Sequence, residues 1–569
     1  MASTQSSSVL GALLYFTACA LEAPEPLNQL ILSGENDIWH IQDGYSLSLA
    51  RSHSIATVVD WTRGRVVAQC SLGADLLDVK LSPDGQHIAW LDRKSLHVVQ
   101  AQTCEAKAYA WSRIWPSAPP APVRIEWADS GHVVSHSTPP VRVPIANPTQ
   151  SALIGPSRKV PISSMDVAGE IAYCGDSSGA VFQCDRNEVL LTLEKRISSV
   201  LDVEGRLCAL TDQELRCGEK NWDTEALGWR YPKLYAVNNH LWVQDRAAVS
   251  QNEGARWFKV DMADGPQLHP QTEALSWPSG DSWITLSESH LSNGTHAIPI
   301  STPLSLLKNS AILAWQSHQG VYVASKKQSY IQRPEDCAHL QFLGEEPLCV
   351  QDNHLYTLSD PQQLFSFPSM GTLLSSGRRL AIGQRGQVSI LENEHRIDYP
   401  LDVRHRVSVM ALGTGQNGVL LGTHTGSVLR WDVAQNKWQE RGAYPDDVVD
   451  LDASDAEIVV ALSDEPFVIL DASGTRVGAE AASAVAVNGK KIAVAARYGG
   501  LSLLNESSRC TAALGVSQLE WIGDDTLAWG GLSSGVWTIG ERCRRLTVQG
   551  ERLLWFDTQQ PVKATELGR

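Results

Sequence analysis

The stretch GVLLGTHTGSVLRWDVAQNKWQE, residues 418–440, decides how the rest of the chain is interpreted. An apolar segment (419–421) precedes the turn sequence Thr-His-Thr-Gly (423–426). A second segment (427–432) ends in a Trp-Asp pair, and a third begins at residue 436. This pattern predicts three short antiparallel strands joined by tight turns. Three such strands cannot bury both of their faces alone, so they need neighbours of the same kind.

The composition is typical of a globular protein built from short strands. Of 569 residues, 43% are apolar and 19% are charged, which separates the chain from disordered sequences. Most apolar residues occur in short runs bounded by Gly, Asp, Asn, Ser or Pro, as expected for strands. The formal net charge is −16 and no run of Lys and Arg occurs. We therefore expect no nucleic-acid partner, because neutralising phosphates requires clustered cations.

The strand pattern recurs along the whole chain as fourteen units. Most spacings are in the thirties or low forties, the period of four-stranded propeller blades. Fourteen blades in one ring would be unusual, so the count predicts two groups of seven divided near residues 298–307. Residues 28–41 and 552–557 remain as surplus strands, which we expect to close the rings at their first and last blades. The second strand of each unit falls near Leu47, Ile88, Val133, Ile171, Leu207, Leu241, Ile284, Ile312, Leu348, Leu380, Leu420, Ile458, Ile492 and Leu527.

Particular units resemble a known superfamily. The stretch LSPDGQHIAWLD (81–92) is similar to a WD40- or TolB-type propeller blade, and residues 162–169 are repeated at 197–205. Over residues 28–557 the chain resembles the WD40/quinoprotein-like β-propeller superfamily, although few units keep the Trp-Asp pair seen at Trp431-Asp432. The resemblance implies an all-β fold of two tandem seven-bladed β-propellers of four-stranded antiparallel blades. We expect the first propeller at 28–303 and the second at 304–569.

The N-terminus resembles that of a bacterial lipoprotein. An apolar run (9–18) of signal-peptide length is too short to span a bilayer as a helix, and it ends at Cys19. Phe16-Thr17-Ala18-Cys19 is similar to a lipobox, although Phe16 replaces the usual Leu and no Lys or Arg precedes it. The resemblance implies a signal peptide at 1–18, a lipid on Cys19 and a tether at 19–27. The alternative is a disordered N-terminal tail.

The other ten cysteines fall into five pairs when they are placed on the predicted strands. Three pairs lie within single units and two join the outer strands of consecutive units, which gives five candidate disulfides, of which we expect at least three to form because bonding also requires suitable geometry. Such a set is typical of an oxidising compartment. The alternative is buried free thiols that pack as small apolar groups. The predicted pairs are Cys70 with Cys104, Cys174 with Cys184, Cys208 with Cys217, Cys337 with Cys349, and Cys510 with Cys543.

Few residues suggest catalysis. Two G-x-S-x-G segments (175–179 and 531–535) match the esterase nucleophile pattern, but strands follow both, whereas a nucleophile elbow leads into a helix. No metalloprotease, phosphate-binding or dinucleotide motif occurs. We interpret His132, His136, His318 and His424 as loop or strand-end residues, and we expect no catalytic residue, metal or cofactor.

Two functions of different classes remain. The first is a non-enzymatic scaffold, anchored in the membrane by its lipid and binding protein partners through the propeller loop faces. Its location would be the periplasmic face of the outer membrane or the cell surface. The second is an enzyme or ligand-binding propeller, a hydrolase, lyase or sugar binder, which inward-facing Asp, Glu or His converging on one channel would support. A cytosolic WD40 scaffold is a further alternative.

Overall fold

In the computed structural model the described residues are 38–557 with gaps. The positions left out are 43, 51–53, 74–75, 115–123, 138–139, 155–159, 169–170, 187, 230–231, 238–239, 246–255, 270–275, 280–281, 288–289, 302, 308–312, 318, 324–328, 336, 338, 352–353, 359–362, 367–371, 377–378, 385, 393–394, 413–417, 433, 542 and 550–551. The chain divides into two compact units, Asn28–Ile300 and a second that contains Ser301–Arg569. We call them the N-terminal and C-terminal units.

The described part of the N-terminal unit contains seven sheets of four antiparallel strands. Each sheet is one contiguous meander. In chain order, strands β1 to β28 of sheets 1 to 7 are Ile38–Gln42, Tyr45–Ala50, Ile55–Asp60 and Arg65–Ser71; Asp78–Leu81, His87–Leu91, Ser95–Gln100 and Glu105–Ala110; Ile125–Asp129, His132–Ser135, Val141–Pro144 and Ala152–Leu153; Ile162–Ala168, Ile171–Asp176, Ala180–Gln183 and Glu188–Thr192; Ser199–Val203, Arg206–Leu210, Glu214–Cys217 and Lys220–Asp223; Pro232–Val237, His240–Asp245, Arg256–Asp261 and Gly265–Leu268; Ser276–Ser279, Ser282–Leu286, His290–Ser292 and Ala297–Pro299.

The C-terminal unit continues the same scheme over its described residues. Strands β29 to β56, in sheets 8 to 14, are Ser305–Leu307, Ala314–Gln316, Gly320–Val323 and Ser329–Gln332; His339–Leu343, Glu346–Gln351, His354–Thr357 and Gln363–Ser366; Thr372–Ser376, Arg379–Gln384, Gln387–Glu392 and His395–Pro400; Val407–Leu412, Val419–Thr423, Ser427–Asp432 and Lys437–Ala443; Val448–Ala453, Ile458–Leu462, Pro466–Asp471 and Gly474–Asn488; Lys491–Ala496, Leu501–Leu503 and Arg509–Cys510; Val516–Trp521, Thr526–Gly531, Ser534–Thr538, Cys543–Gln549 and Arg552–Asp557. The long strand β48 is shared: residues 474–481 pair with β47 in sheet 12, and residues 482–488 pair with β49 in sheet 13.

Helical structure is minor in this fold. The described helices are α1 (Trp111–Ile114) and two short 3-10 turns at Pro148–Gln150 and Glu225–Leu227. None of these described helices has the length or the apolar character needed to cross a membrane.

The opening stretch forms β42, β43 and β44, the second to fourth strands of sheet 11. Its turn requires Gly426, which has a φ of +78°, because a Cβ there would lie 2.0 Å from the Tyr444 carbonyl oxygen. Trp431 is 6% exposed and packs edge-on against Trp438 of β44 and Tyr399 of β40. The Trp of the Trp-Asp pair therefore holds sheet 11 against sheet 10. The predicted second strands also agree: thirteen of the fourteen positions lie on such a strand, and Ile312 lies outside the described residues.

Within each unit, apolar clusters join every sheet to the next and the last sheet to the first. In the N-terminal unit, Val59 and Trp61 of sheet 1 pack against Ile284, Leu291 and Ile298 of sheet 7. In the C-terminal unit, a cluster that includes the Trp315 ring joins sheet 8 to sheet 14, and Leu304 forms a β-bridge with Gly531.

Over the described residues, the strands at the chain ends do not close the rings as expected, and residues 28–37 of the expected surplus strands lie outside the described residues. The first described strand, β1, is the first strand of sheet 1 and pairs only with β2 of that sheet. The last, β56, is a fifth strand at the outer side of sheet 14, where it pairs with β55. The ends of each unit therefore meet through side-chain packing, and in the C-terminal unit also through the Leu304 bridge.

Side chains also satisfy the uncovered edge of the first strand in many sheets. That strand has no partner on one side within its own sheet, and it lies beside the first strand of a neighbouring sheet. Unpaired main-chain groups are costly when buried, so they need partners. In each pair a side-chain oxygen of the earlier sheet accepts a hydrogen bond from a main-chain amide of the next sheet. Gln518 of sheet 14 accepts the Leu306 amide of sheet 8 in the same way, so this contact also joins the last sheet of the C-terminal unit to its first. The other pairs are Asp78 with Ile125 (2.9 Å), Ser164 with Val200 (3.0 Å), Asp166 with Asp202 (2.7 Å), Ser199 with Leu234 (3.1 Å), Asp450 with Val485 (2.9 Å) and Asp452 with Val487 (2.8 Å).

The structure joins the same five cysteine pairs that the strand positions suggested. Cys70–Cys104 links the outer part of sheet 1 to sheet 2, and Cys510–Cys543 does the same for sheets 13 and 14. The other three bonds, Cys174–Cys184, Cys208–Cys217 and Cys337–Cys349, stay within one sheet. Cys184 lies just after β15 and Cys337 just before β33, so neither is on a strand as expected. Five disulfides are typical of a protein that folds outside the reducing cytoplasm.

We predict that the bond between sheets contributes more than a bond within one sheet. Cys70–Cys104 closes a separation of 34 residues and Cys208–Cys217 one of 9, both in the N-terminal unit. Because it closes a longer loop, Cys70–Cys104 should stabilise the folded state by about 1 kcal/mol more than Cys208–Cys217, and each bond contributes about 3–4 kcal/mol. The Cys70→Ser/Cys104→Ser variant should therefore unfold at lower urea concentration than Cys208→Ser/Cys217→Ser, followed by Trp fluorescence. Equal midpoints would contradict this.

Candidate functional site

Those residues singled out from the sequence that the structure describes are not brought together into one site. Cys19 and His318 lie outside the described residues. His132 pairs with Asp129 (2.9 Å) at the turn between β9 and β10, and His424 pairs with Asp447 (3.2 Å). Over the described part of the chain, no three His, Cys, Asp or Glu side chains are arranged to hold a metal ion.

The two G-x-S-x-G segments form turns between the second and third strands of sheets 4 and 14. Asp176 Oδ1 accepts hydrogen bonds from the Ser178 amide (2.9 Å) and hydroxyl (2.6 Å). The Ser533 hydroxyl donates to the Leu514 carbonyl (2.7 Å), and Ser534 donates to the Leu304 carbonyl (3.2 Å). These hydroxyls therefore fix the main chain of the turns.

Charged side chains instead converge on the first strands of sheets 2 to 6. Successive first strands β5, β9, β13, β17 and β21 lie beside one another, and each carries at least one charged residue between apolar ones. We call this set the first-strand cluster: Asp78 and Lys80 on β5, Glu126 on β9, Asp166 on β13, Asp202 on β17 and Lys233 on β21.

One ion pair joins the first two strands of the first-strand cluster, β5 and β9. Lys80 Nζ is 2.7 Å from Glu126 Oε1, and the two side chains are 8% and 27% exposed. Burial alone would lower the pKa of Lys80, but the negative charges of Glu126 and Asp78 outweigh it and raise that pKa. Burial would raise the pKa of Glu126, yet Lys80 and Lys233 hold it at about 2. Both groups are therefore charged at neutral pH.

Asp78 anchors the ion pair to the next sheet. Its carboxylate is 7% exposed and accepts the Ile125 amide, while the Trp127 indole donates to the Lys80 carbonyl (3.2 Å). Burial raises the pKa of Asp78, and Lys80 partly offsets this. The two hydrogen bonds fix β5 against β9, so the Lys80 and Glu126 side chains meet in a defined geometry.

A pair of carboxylates occupies the neighbouring first strands. Asp166 Oδ2 accepts the Asp202 amide (2.7 Å), and Asp202 Oδ1 accepts the Gly205 amide (2.9 Å). Burial raises the pKa of Asp166 to about 6, and the negative charges of Glu126 and Asp202 act in the same direction. The Asp166 carboxyl therefore changes its protonation state near pH 6.

His136 lies beside the cluster, in the segment that follows β10. Burial lowers the pKa of His136 to about 4, the positive charges of Lys80, Arg124 and Lys233 act in the same direction, and Glu126 opposes them. Its imidazole is therefore neutral at pH 7.

The C-terminal unit has no equivalent concentration of opposite charges. Over the described residues, its first strands β29, β33, β37, β41, β45, residues 482–488 of β48, and β52 carry no Lys or Arg. Its inner carboxylates Asp450 and Asp452 bond to the main chain of the next sheet. The mixed-charge cluster is therefore a feature of the N-terminal unit.

The sequence analysis missed this cluster, although a signal was present. Charged residues interrupt apolar segments at LLDVKL (76–81), RIEWAD (124–129), SSMDVA (163–168), SVLDV (199–203) and PKLYAV (232–237). The internal repeat at 162–169 and 197–205 contains Asp166 and Asp202, which the structure places on adjacent first strands. Aligning the repeat units by their first strands, instead of by their second strands, reveals the charged residues of the first-strand cluster.

Comparisons with known proteins assign no family. No protein-family model matches the chain, and no curated protein matches it significantly. One similar solved structure is described as the extracellular domain of a hybrid two-component system from B. thetaiotaomicron. It is 12% identical, the match covers 94% of this chain and 78% of that chain, and the TM-score is 0.32. A TM-score this low carries no argument about function, while the four-stranded antiparallel sheets themselves are compatible with a propeller-like fold.

We predict that Glu126→Gln destabilises the N-terminal unit by about 2 kcal/mol, because it leaves the buried Lys80 ammonium without its countercharge. The double variant Lys80→Met/Glu126→Gln should recover most of this loss in urea unfolding. Asp212→Asn is the matched control: its partner Lys195 is 3.9 Å away and both side chains are about half exposed, so we expect less than about 0.5 kcal/mol. A double variant as unstable as Glu126→Gln would contradict the prediction.

We also predict a pH-dependent effect of Asp166→Asn. The folded pKa of about 6 lies above the ordinary value of 3.8, so the protonated carboxyl favours the folded state. The protonated Asp166 therefore contributes to the free energy of unfolding fully below pH 3.8, and this contribution is lost as the pH rises through 6. The variant should therefore raise the melting temperature at pH 8 and change it little at pH 3.5, since its amide oxygen still accepts the Asp202 amide. The exposed Asp264→Asn is the control, and an equal effect at both pH values would argue against the assignment.

Proposed function

We propose that the chain is an exported, lipid-anchored tandem of two seven-bladed β-propellers that acts as a non-enzymatic scaffold for protein partners. The observation that carries the proposal is the circular order of packing in each unit, where the seventh sheet shares a core with the first. Such closure produces a rigid frame whose connecting loops can vary in sequence without loss of the fold. The similarity of LSPDGQHIAWLD (81–92) to a WD40- or TolB-type blade is in keeping with it.

The disulfides and the N-terminal sequence support export and anchoring. All ten cysteines beyond Cys19 are paired, which favours an oxidising compartment. The lipobox-like Phe16-Thr17-Ala18-Cys19 segment supports a lipid on Cys19, with residues 1–18 removed and 19–27 as the tether. A diacylated cysteine would hold the protein at a membrane without a spanning helix.

Fractionation of a bacterial host that expresses the full chain tests export and anchoring. We expect the wild type in the membrane fraction, with a modified Cys19 as its first residue, and we expect Cys19→Ala outside that fraction. Non-reducing mass spectrometry should give five cross-linked peptide pairs. An intact Met1 with ten free thiols would instead indicate the cytosolic scaffold.

Chemical cross-linking in intact membranes tests the scaffold role. A protein partner should be cross-linked to the wild type in stoichiometric amount and should be lost with Cys19→Ala, because only the anchored protein reaches it. Absence of any stoichiometric partner would contradict the scaffold role and favour the second candidate function.

The second candidate function is the binding of a small solute at the first-strand cluster. The observation that favours it is the convergence of charged side chains from five successive sheets of one unit. Ionisable groups with perturbed pKa values concentrate at functional sites. The same groups would suit acid–base chemistry, but no nucleophile is activated by a neighbouring base among the described residues of the cluster, so we favour binding without turnover.

A further inference from the structure

One cysteine of the five disulfides differs from the other nine in its exposure. Cys104 ends the turn between β7 and β8 and is exposed to solvent. Thiol–disulfide exchange requires a thiolate to reach one of the two bonded sulfurs, so access favours the Cys70–Cys104 bond. The other bonded cysteines are at most 5% exposed: Cys70, Cys174, Cys184, Cys208, Cys217, Cys337, Cys349, Cys510 and Cys543.

The two sulfurs of this bond lie in different surroundings. Cys70, on β4, is 1% exposed and belongs to the apolar cluster that sheets 1 and 2 share, which includes Leu47 and Trp90. Cys104 has a φ of +56°, in the left-handed region that residues other than glycine rarely adopt. Residues that keep such a conformation are concentrated at functional sites. An external thiol can therefore approach the bond from the Cys104 side only.

The fold also has hydrogen-bond acceptors in place for both thiols of the reduced form. Cys70 Sγ lies 3.5 Å from the Ala101 carbonyl oxygen, and Cys104 Sγ lies 3.2 Å from the Gln69 carbonyl oxygen. A disulfide sulfur has no hydrogen to donate, whereas a thiol is a weak donor. After reduction each thiol could therefore donate to the carbonyl beside it. Sheets 1 and 2 would still share their apolar cluster, so we expect the reduced protein to keep its fold.

From these observations we propose that Cys70–Cys104 is an exchangeable disulfide and that an external thiol attacks it at Cys104 Sγ. The attacking thiolate forms a mixed disulfide with Cys104. The bond between the two protein sulfurs breaks, and its electron pair leaves with Cys70 Sγ, which takes a proton from water. A second thiolate then attacks the reductant sulfur of the mixed disulfide and releases Cys104 as a thiolate. The protein disulfide gains two electrons, and two thiols of the reductant become one disulfide.

The exchange would act on one covalent link between neighbouring sheets. The oxidised form ties sheet 2 to the outer part of sheet 1. The reduced form loses this tie, keeps the four buried bonds and presents the Cys104 thiol at the surface. This activity goes beyond the scaffold role and does not depend on the lipid anchor, so fractionation of the Cys19→Ala variant and the experiments below can fail independently.

Alkylation of the full chain under native conditions tests which bond exchanges. The oxidised protein is incubated with reduced glutathione or with a reduced thioredoxin-type dithiol protein, quenched with iodoacetamide and analysed by peptide mass spectrometry. We expect Cys70 and Cys104 to be labelled about ten-fold faster than the other eight cysteines, with unchanged Trp fluorescence. The faster of the two reductants indicates whether a small thiol or a protein dithiol is the preferred source.

Two single variants test which sulfur is attacked. Cys70→Ser and Cys104→Ser remove the same bond and close the same loop no longer, but each leaves a different thiol. With glutathione disulfide, Cys104 in the Cys70→Ser variant should form a mixed disulfide about ten-fold faster than Cys70 in the Cys104→Ser variant. If either variant fails to fold, alkylation of the wild type still decides the proposal.

Two results would overturn the proposal. Equal labelling of all five bonds, or faster labelling of one of the four buried bonds, would show that exposure does not select Cys70–Cys104. Equal reactivity of the two single variants would show that Cys104 is not the preferred point of attack.

Discussion

The structure depends on how neighbouring first strands are joined, and at five junctions a side chain satisfies the uncovered edge of a first strand. A four-stranded meander leaves main-chain N–H groups without partners along that edge, and an open edge invites pairing with other chains. Here a Ser, Asp or Gln side chain of one sheet accepts an amide hydrogen of the next, always in the same direction along the chain. Gln518 extends the same contact from sheet 14 to sheet 8. The sheets are thus held by apolar packing between their faces and by polar contacts along their edges.

This constraint also explains why polar groups are present where a core would otherwise be apolar. Asp78 and Asp166 serve the main chain of the following sheet, and their carboxylates enter a region of low exposure for that reason. Burial then shifts their pKa values upward. Lys80 and Glu126 compensate each other, whereas Asp166 lacks such a partner. The N-terminal unit combines these carboxylates with basic residues that the described first strands of the C-terminal unit lack.

The disulfides act on a different part of each sheet. Cys70–Cys104 and Cys510–Cys543 join consecutive sheets at the outer side, far along the meander from the first strands. Three others fasten strands within one sheet. A bond of either kind stabilises mainly by restricting the unfolded chain, more so for longer separations. Hydrogen bonds between first strands and disulfides near the outer strands therefore both stabilise the packing of neighbouring sheets.

The sequence by itself determined the local structure: the strands, their order, the sheet to which each belongs, and the cysteine pairs. These follow from short-range apolar periodicity and turn residues such as Gly426, so a regular repeat makes them visible. Only the tertiary structure decided how the ends of each unit meet, where side-chain packing, and in the C-terminal unit also the bridge between Leu304 and Gly531, joins the last sheet to the first. It alone also brought together Lys80, Glu126, Asp166, Asp202 and Lys233. Each is a charged residue in an otherwise apolar strand, and the contacts between these first strands join residues 35 to 46 positions apart in the sequence, a separation that no local pattern reports.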